Sequence, residues 1–145
     1  ELKPDLIIDI ATLTGAATLG LGRHYAAMYA TNDEVADSLS DVGNEVGERA
    51  WRMPLVEDYR EAITSSVADV RNIGDQAKVQ AGSITAALFL HRFIGDRNWV
   101  HLDIAGAGRS DVDAGENVKG ATGYGVRLLT QWLASAPTIR SARSK

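Results

Sequence analysis

The sequence predicts an α/β fold, part of a mixed, largely parallel sheet with helices on both faces. Two largely apolar runs, Leu6 to Ile10 and Asn98 to Ala105, each lead into small residues and glycine, as strands covered on both sides do. Between them, Val35, Leu39, Val42 and Val46 recur at spacings of four, three and four, the stripe of an amphipathic helix. A second helical stretch, Ser83 to Ile94, is apolar nearly all round and should be buried on most sides.

Composition bounds what such a fold can do. The 145 residues suffice for one domain with its own core. With 15 Lys+Arg against 19 Asp+Glu the formal charge is −4, which offers no general attraction to nucleic acid or to an anionic membrane. No apolar run approaches the roughly 20 residues of a membrane span, so a soluble domain is expected. The absence of cysteine excludes disulfides and thiolate metal sites. Glu1-Leu2-Lys3-Pro4 lacks an initiator Met and runs almost at once into a buried-type strand, so a piece of a longer chain is expected.

Taken in order, the first strand is interrupted by Asp9 and opens into Ala11-Thr12-Leu13-Thr14-Gly15, where glycine lets a ligand or another backbone come close. Ligands of open α/β sheets bind beyond the carboxyl ends of strands. Thr12 to Gly15 is therefore read as the floor of a site. Tyr25 to Ala30 is a further apolar run, after which Thr31 and Glu34 fit a capping box for the amphipathic helix ending near Gly47. Pro54 suits the first turn of a short helix over Val56 to Ser65. Ala68 to Gly82 mixes charges, amides and glycines without a period, and long loops of this kind are often functional. It is expected to wall the site, with Ile73 as an apolar element. Arg109 to Lys119 reads as a polar loop, and Ala121 to Ala134 as a last helix with Val126, Leu129 and Leu133 on one face. Residues 1–136 make one domain in this reading, and the Ser- and Arg-rich 137–145 a disordered tail.

Asp9, His101 and Asp103 are ligand types on buried strands, with His101 and Asp103 on one side of theirs. They could hold a metal, or the aspartates could accept bonds from loop N–H groups and fix the loop. The second reading is favoured, because the three lack metal-motif spacing. His24 and His91 stand alone. Gly106-x-Gly108 would need a third glycine where Asp111 stands, Gly15 to Gly22 lacks a phosphate loop's Lys-Ser/Thr ending, and no Gly-x-Ser-x-Gly elbow occurs. Residue chemistry alone thus leaves a small-residue cleft without a complete catalytic set.

Five blocks in order add a resemblance: Asp9-Ile10-Ala11-Thr12-Leu13-Thr14-Gly15-Ala16, Arg49-Ala50-Trp51-Arg52-Met53-Pro54-Leu55, Ala68-Asp69-Val70-Arg71-Asn72-Ile73-Gly74, Ala81-Gly82-Ser83-Ile84-Thr85-Ala86-Ala87, and Trp99-Val100-His101-Leu102-Asp103-Ile104-Ala105-Gly106. Together they resemble the leucine aminopeptidase (cytosol aminopeptidase) family, in the second part of its C-terminal catalytic domain. The resemblance implies a cytoplasmic, homohexameric metalloprotease, a hydrolase that releases N-terminal residues, commonly leucine, from peptide substrates. It implies two divalent metal ions, zinc with manganese or magnesium in its place, and an arginine-held bicarbonate as base. The family's metal ligands and its Asn-Thr-Asp-Ala-Glu-Gly-Arg signature precede the Ala-Thr-Leu-Thr-Gly block, so this chain should carry substrate contacts but neither ligands nor catalytic residues. Leu13 would offer its carbonyl and Gly15 its N–H to the peptide. Thr12, Gly15 and Ala105 would line the pocket for the departing N-terminal side chain, and Ile73 the pocket for the next residue. Gly108 stands where some members have methionine, which implies a deeper first pocket, and Tyr124-Gly125 replaces a common Arg-Pro. Alone, the chain should be inactive and expose a sheet edge. The competing readings are a non-catalytic binding or scaffold domain of this family and an unrelated nucleotide-binding α/β domain.

Equilibrium dialysis of the chain against Zn²⁺ or Mn²⁺, followed by elemental analysis, is expected to return little or no bound metal. Two tightly held ions would instead place Asp9, His101 and Asp103 in a metal site.

Overall fold

The structure is a computed structural model that describes residues 3–135 and 137–139. Its sheet contains β1 (Leu6–Ala11), β2 (Ala26–Ala30), β3 (Ala50–Arg52) and β4 (Asn98–Asp103), in the spatial order β1-β4-β2-β3. β1 runs parallel to β4 and β3 parallel to β2, while β2 and β4 are antiparallel. The sheet is therefore mixed and largely parallel, as expected. Asp9 lies opposite His101 and Ala11 opposite Asp103, so the carboxyl ends of β1 and β4 finish level.

The helices α1 (Gly15–Leu21), α2 (Asp33–Val46), α3 (Gly82–His91) and α4 (Val126–Ala134) cover both faces. Side-chain alternation along the strands divides the core in two. On one face Met28, Val100 and Leu102 pack with Leu39 of α2 and with Leu128 and Trp132 of α4. On the other, Tyr29 and Trp99 pack with Ala17 of α1, Ala87 of α3 and Ile94. Every residue of β4 is buried. β1 differs from the fully covered strand expected, since all its residues are at least partly exposed. It pairs with β4 alone among the described residues, so its second edge is uncovered.

Several local expectations are corrected. Asn32, not Thr31, caps α2, its side-chain oxygen accepting from Val35 N at 3.0 Å. The Thr31 hydroxyl instead accepts from Trp99 N at 2.9 Å, where β4 begins. Gly47, at φ 78°, ends α2 in the left-handed conformation that glycine tolerates. Between 56 and 65 the helix is a 3₁₀ helix, Glu57–Ile63. The polar stretch after 108 begins a small hairpin, β5 (Arg109–Ser110) pairing with β6 (Gly120–Ala121).

The last helix starts at Val126 because Gly120, Gly123 and Gly125 take positive φ. Its buried positions are Leu128 and Trp132, whereas Val126 and Leu133 of the expected stripe are exposed. Gly125 has no side chain to cap that helix. Buried Glu48 does so, Oε2 accepting from Gly125 N and Leu128 N at 2.9 Å each, a favourable place for a carboxylate. In the stretch read as a tail, Ile139 is half-buried against the first core, and 136 and 140–145 lie outside the described residues.

Gly106 shows where backbone approach leaves no room. A Cβ there would sit 2.1 Å from the Gly22 carbonyl oxygen, whereas one on Gly20, inside α1, meets nothing within 4 Å. Gly106→Ala is expected to destabilise the chain by about 2 kcal/mol or more. Gly20→Ala should be neutral or stabilise by about 0.5–1 kcal/mol. Urea unfolding of both variants checks the pair.

Candidate functional site

Past the carboxyl ends of β1 and β4 the two backbones part, and their N–H groups lose strand partners. Asp103, 1% exposed, collects them. Its Oδ1 accepts from Leu13 N at 3.1 Å, Thr14 N at 3.3 Å and Ala105 N at 3.2 Å, and its Oδ2 from the Thr14 hydroxyl at 2.6 Å. The loop-fixing reading of this aspartate is what the structure shows. Thr14 also accepts from Ala17 N at 3.1 Å, which caps α1.

Beside this loop lies a cavity of about 580 Å³. Leu13, Gly15 and Ile73 all line it, joined by Asn72, Gln76 and Thr85. The opposite wall, residues 64–81, has no regular structure but is anchored. Arg71 N and Asp75 N donate to the carbonyls of Ile63 and Ala62 at 2.8 Å each. Gly74 presses on α3, where a Cβ would come within 2.9 Å of the Thr85 hydroxyl. Ile73 itself is 70% exposed, an apolar side chain left uncovered at the rim.

Thr12 and Ala105 are not on this cavity. Thr12 faces Gly108, where a Cβ would lie 3.3 Å from Thr12 Cγ2 and 2.9 Å from the Ile104 carbonyl oxygen. A larger residue at 108 therefore requires the local backbone to shift. Ala105 is half-buried and tied to Asp103 through its N–H.

Asp9 and His101 meet, Asp9 Oδ1 lying 2.5 Å from His101 Nδ1, and Trp99 Nε1 donates to Asp9 Oδ2 at 2.6 Å. The His101 ring stacks on Trp99 at 6.0 Å between centroids and on Tyr29 at 6.1 Å. Tyr29 donates to the Ser83 hydroxyl at 2.8 Å, yet burial pushes its own pKa up to about 12. This aromatic stack was not foreseen, although Trp99 and His101 at i and i+2 on one strand were a signal for it. Among the described residues, no group of three or more His, Cys, Asp or Glu is arranged to hold a metal ion.

His91, read as isolated, bridges α3 to the 3₁₀ helix. Arg60 donates to His91 Nδ1 at 2.9 Å and also pairs with Glu57. Burial, then the Arg60 charge, holds His91 below its usual range.

Residues 1–130 match the cytosol aminopeptidase family, catalytic domain. The chain belongs to that family. It is 51% identical over 134 residues to a probable cytosol aminopeptidase of Rickettsia peacockii (strain Rustic), covering 92% of this chain and 27% of the relative. To the corresponding protein of Trichormus variabilis (strain ATCC 29413 / PCC 7937) it is 50% identical over 135 residues, 93% of this chain and 27% of the relative. Among solved structures, a mutant tomato leucine aminopeptidase superposes with a TM-score of 0.81 at 42% identity, over 90% of this chain and 25% of the other. The chain thus spans about a quarter of the length of these relatives. Membership in this family replaces the reading as an unrelated nucleotide-binding domain.

The His91 bridge gives a sign for pH dependence. Folding lowers its proton affinity, so below about pH 6.5 the unfolded chain binds more protons and stability falls as pH drops through the folded pKa. His91→Gln, which keeps an acceptor for Arg60, is expected to lose less stability than the native chain between pH 7.5 and 5.5. Urea midpoints at the two pH values measure the difference.

Proposed function

We propose that this chain is the substrate-contacting part of a leucyl aminopeptidase-type exopeptidase that releases N-terminal residues, with leucine-type preference, from peptides. The observation that carries the reading is the meeting of Leu13, Gly15 and Ile73 around one cavity. An extended peptide needs a backbone acceptor and a backbone donor beside apolar surface. The Leu13 carbonyl supplies the acceptor. Gly15, at the first position of α1, supplies an N–H with no partner within the helix. Leu13, Ala16, Ile73 and Ala86 provide surface for aliphatic side chains.

In this reading the enzyme is cytoplasmic and hexameric, and it uses two divalent ions, zinc or manganese, with bicarbonate. The described residues of this chain offer no ligand set that fits such ions. The ligands would come from elsewhere in the full-length polypeptide. The uncovered edge of β1, beside the carbonyl loop, is consistent with further sheet there. What this chain does is bind the peptide, orient it and select its side chains.

The test is peptide hydrolysis by the full-length polypeptide. Ile73→Asp is expected to raise KM for Leu-Leu roughly tenfold or more, the cost of placing a charge where an apolar side chain should sit. Leucinamide, which lacks that second side chain, should be hydrolysed nearly as before. A native protein without peptidase activity would leave the scaffold reading, and equal losses on both substrates would remove Ile73 from the second pocket.

A further inference from the structure

We propose that Asp103, acting with Thr14, is a positioning residue that aims the Leu13 carbonyl at the substrate. The substrate half rests on the aminopeptidase reading, and the structural half on geometry alone.

The carbonyl of Leu13 and the N–H of Thr14 belong to one planar trans peptide and point in opposite directions. Asp103 Oδ1 holds that N–H at 3.3 Å, so the Leu13 carbonyl must point away from the carboxylate. The neighbouring peptide is held too, through Leu13 N at 3.1 Å. Two consecutive peptide planes are thereby tied to one buried group. The same Oδ1 also holds Ala105 N–H at 3.2 Å, so the turn after β4 shares the loop's anchor.

Thr14 removes the remaining freedom. Its hydroxyl hydrogen goes to Asp103 Oδ2 at 2.6 Å, and its oxygen accepts from Ala17 N at 3.1 Å. The hydroxyl cannot rotate without breaking one bond, so carboxylate, loop and α1 are locked together. An acceptor-only side chain at 103 takes all four donors at once. Asparagine can keep its oxygen on the N–H groups, but its amide then donates to the Thr14 oxygen and leaves the hydroxyl hydrogen without this acceptor.

The experiment compares the native full-length polypeptide with Thr14→Val, Thr14→Ser and Asp103→Asn. It reads hydrogen exchange over residues 11–16 and steady-state hydrolysis of a leucyl dipeptide. Thr14→Val and Asp103→Asn are expected to speed exchange in that segment roughly tenfold or more and raise KM by a similar factor. Turnover per correctly folded site should stay within about twofold, and Thr14→Ser should restore both readouts to near native. A merely structural role would lower the active fraction and leave KM unchanged. If Thr14→Val does not fold, Asp103→Asn and Thr14→Ser still carry the comparison. Unchanged exchange in the variants overturns the clamp, and unchanged KM in an active enzyme overturns the positioning role. A native enzyme without peptidase activity overturns the aminopeptidase reading, and the substrate half with it, while the exchange result still decides the clamp.

Discussion

The Asp103 carboxylate is the point on which the end of the sheet depends. A carboxyl group this deeply buried is costly unless its oxygens are filled. Here they are filled by three backbone N–H groups and a hydroxyl, donors that the diverging ends of β1 and β4 would otherwise leave without partners. The level finish of the two strands, Ala11 opposite Asp103, makes the arrangement possible. A one-residue slip would turn Asp103 toward the opposite core. Just beyond, Gly106 lets the chain pass the Gly22 carbonyl at the end of α1, so the helix and the turn after β4 stay in contact.

Further down the same face, polar and aromatic groups tie the edge strand to the layer above it. Asp9 reaches across to both Trp99 and His101, and Tyr29, stacked on His101, passes the connection to Ser83 at the start of α3. α3 in turn lies close to α1, where a Cβ on Gly82 would be 3.2 Å from that of Ala16. It also backs the loop that carries Ile73, directly through Gly74 against Thr85 and indirectly through the Arg60 to His91 bridge, which holds the 3₁₀ helix on which that loop is anchored. Both walls of the cavity therefore rest on the sheet through short chains of contacts. That explains how a stretch without regular structure, 64–81, can present a side chain in a defined place.

Strands β1 and β4 and helices α2 and α3 were legible in the sequence because each depends on a local apolar pattern. α1 was not, since Gly-Ala-Ala-Thr-Leu-Gly-Leu has no apolar stripe and its start is set by the Thr14 cap. β3 is only three residues long, too short for alternation to show. The register of α4 was misread because its start depends on glycines with positive φ and on Glu48, more than seventy residues away. Among site residues, Leu13 and Gly15 at a strand's carboxyl end and Ile73 in a long loop were legible from the residues, with their roles implied by family resemblance, and they line one cavity, while Thr12 and Ala105 are not part of its lining. Asp103 was legible as a loop anchor from its place at a strand's carboxyl end. The double use of the Thr14 hydroxyl was not, because it depends on where β4 stops relative to β1.

The most direct measurement is a crystal structure of the full-length polypeptide with a non-hydrolysable peptide analogue bound. The analogue's backbone is expected within hydrogen-bonding distance of the Leu13 carbonyl and the Gly15 N–H, with its second side chain against Ile73 and the Asp103 bonds intact. An analogue bound away from these residues, or a Leu13 carbonyl turned from it, would contradict the account.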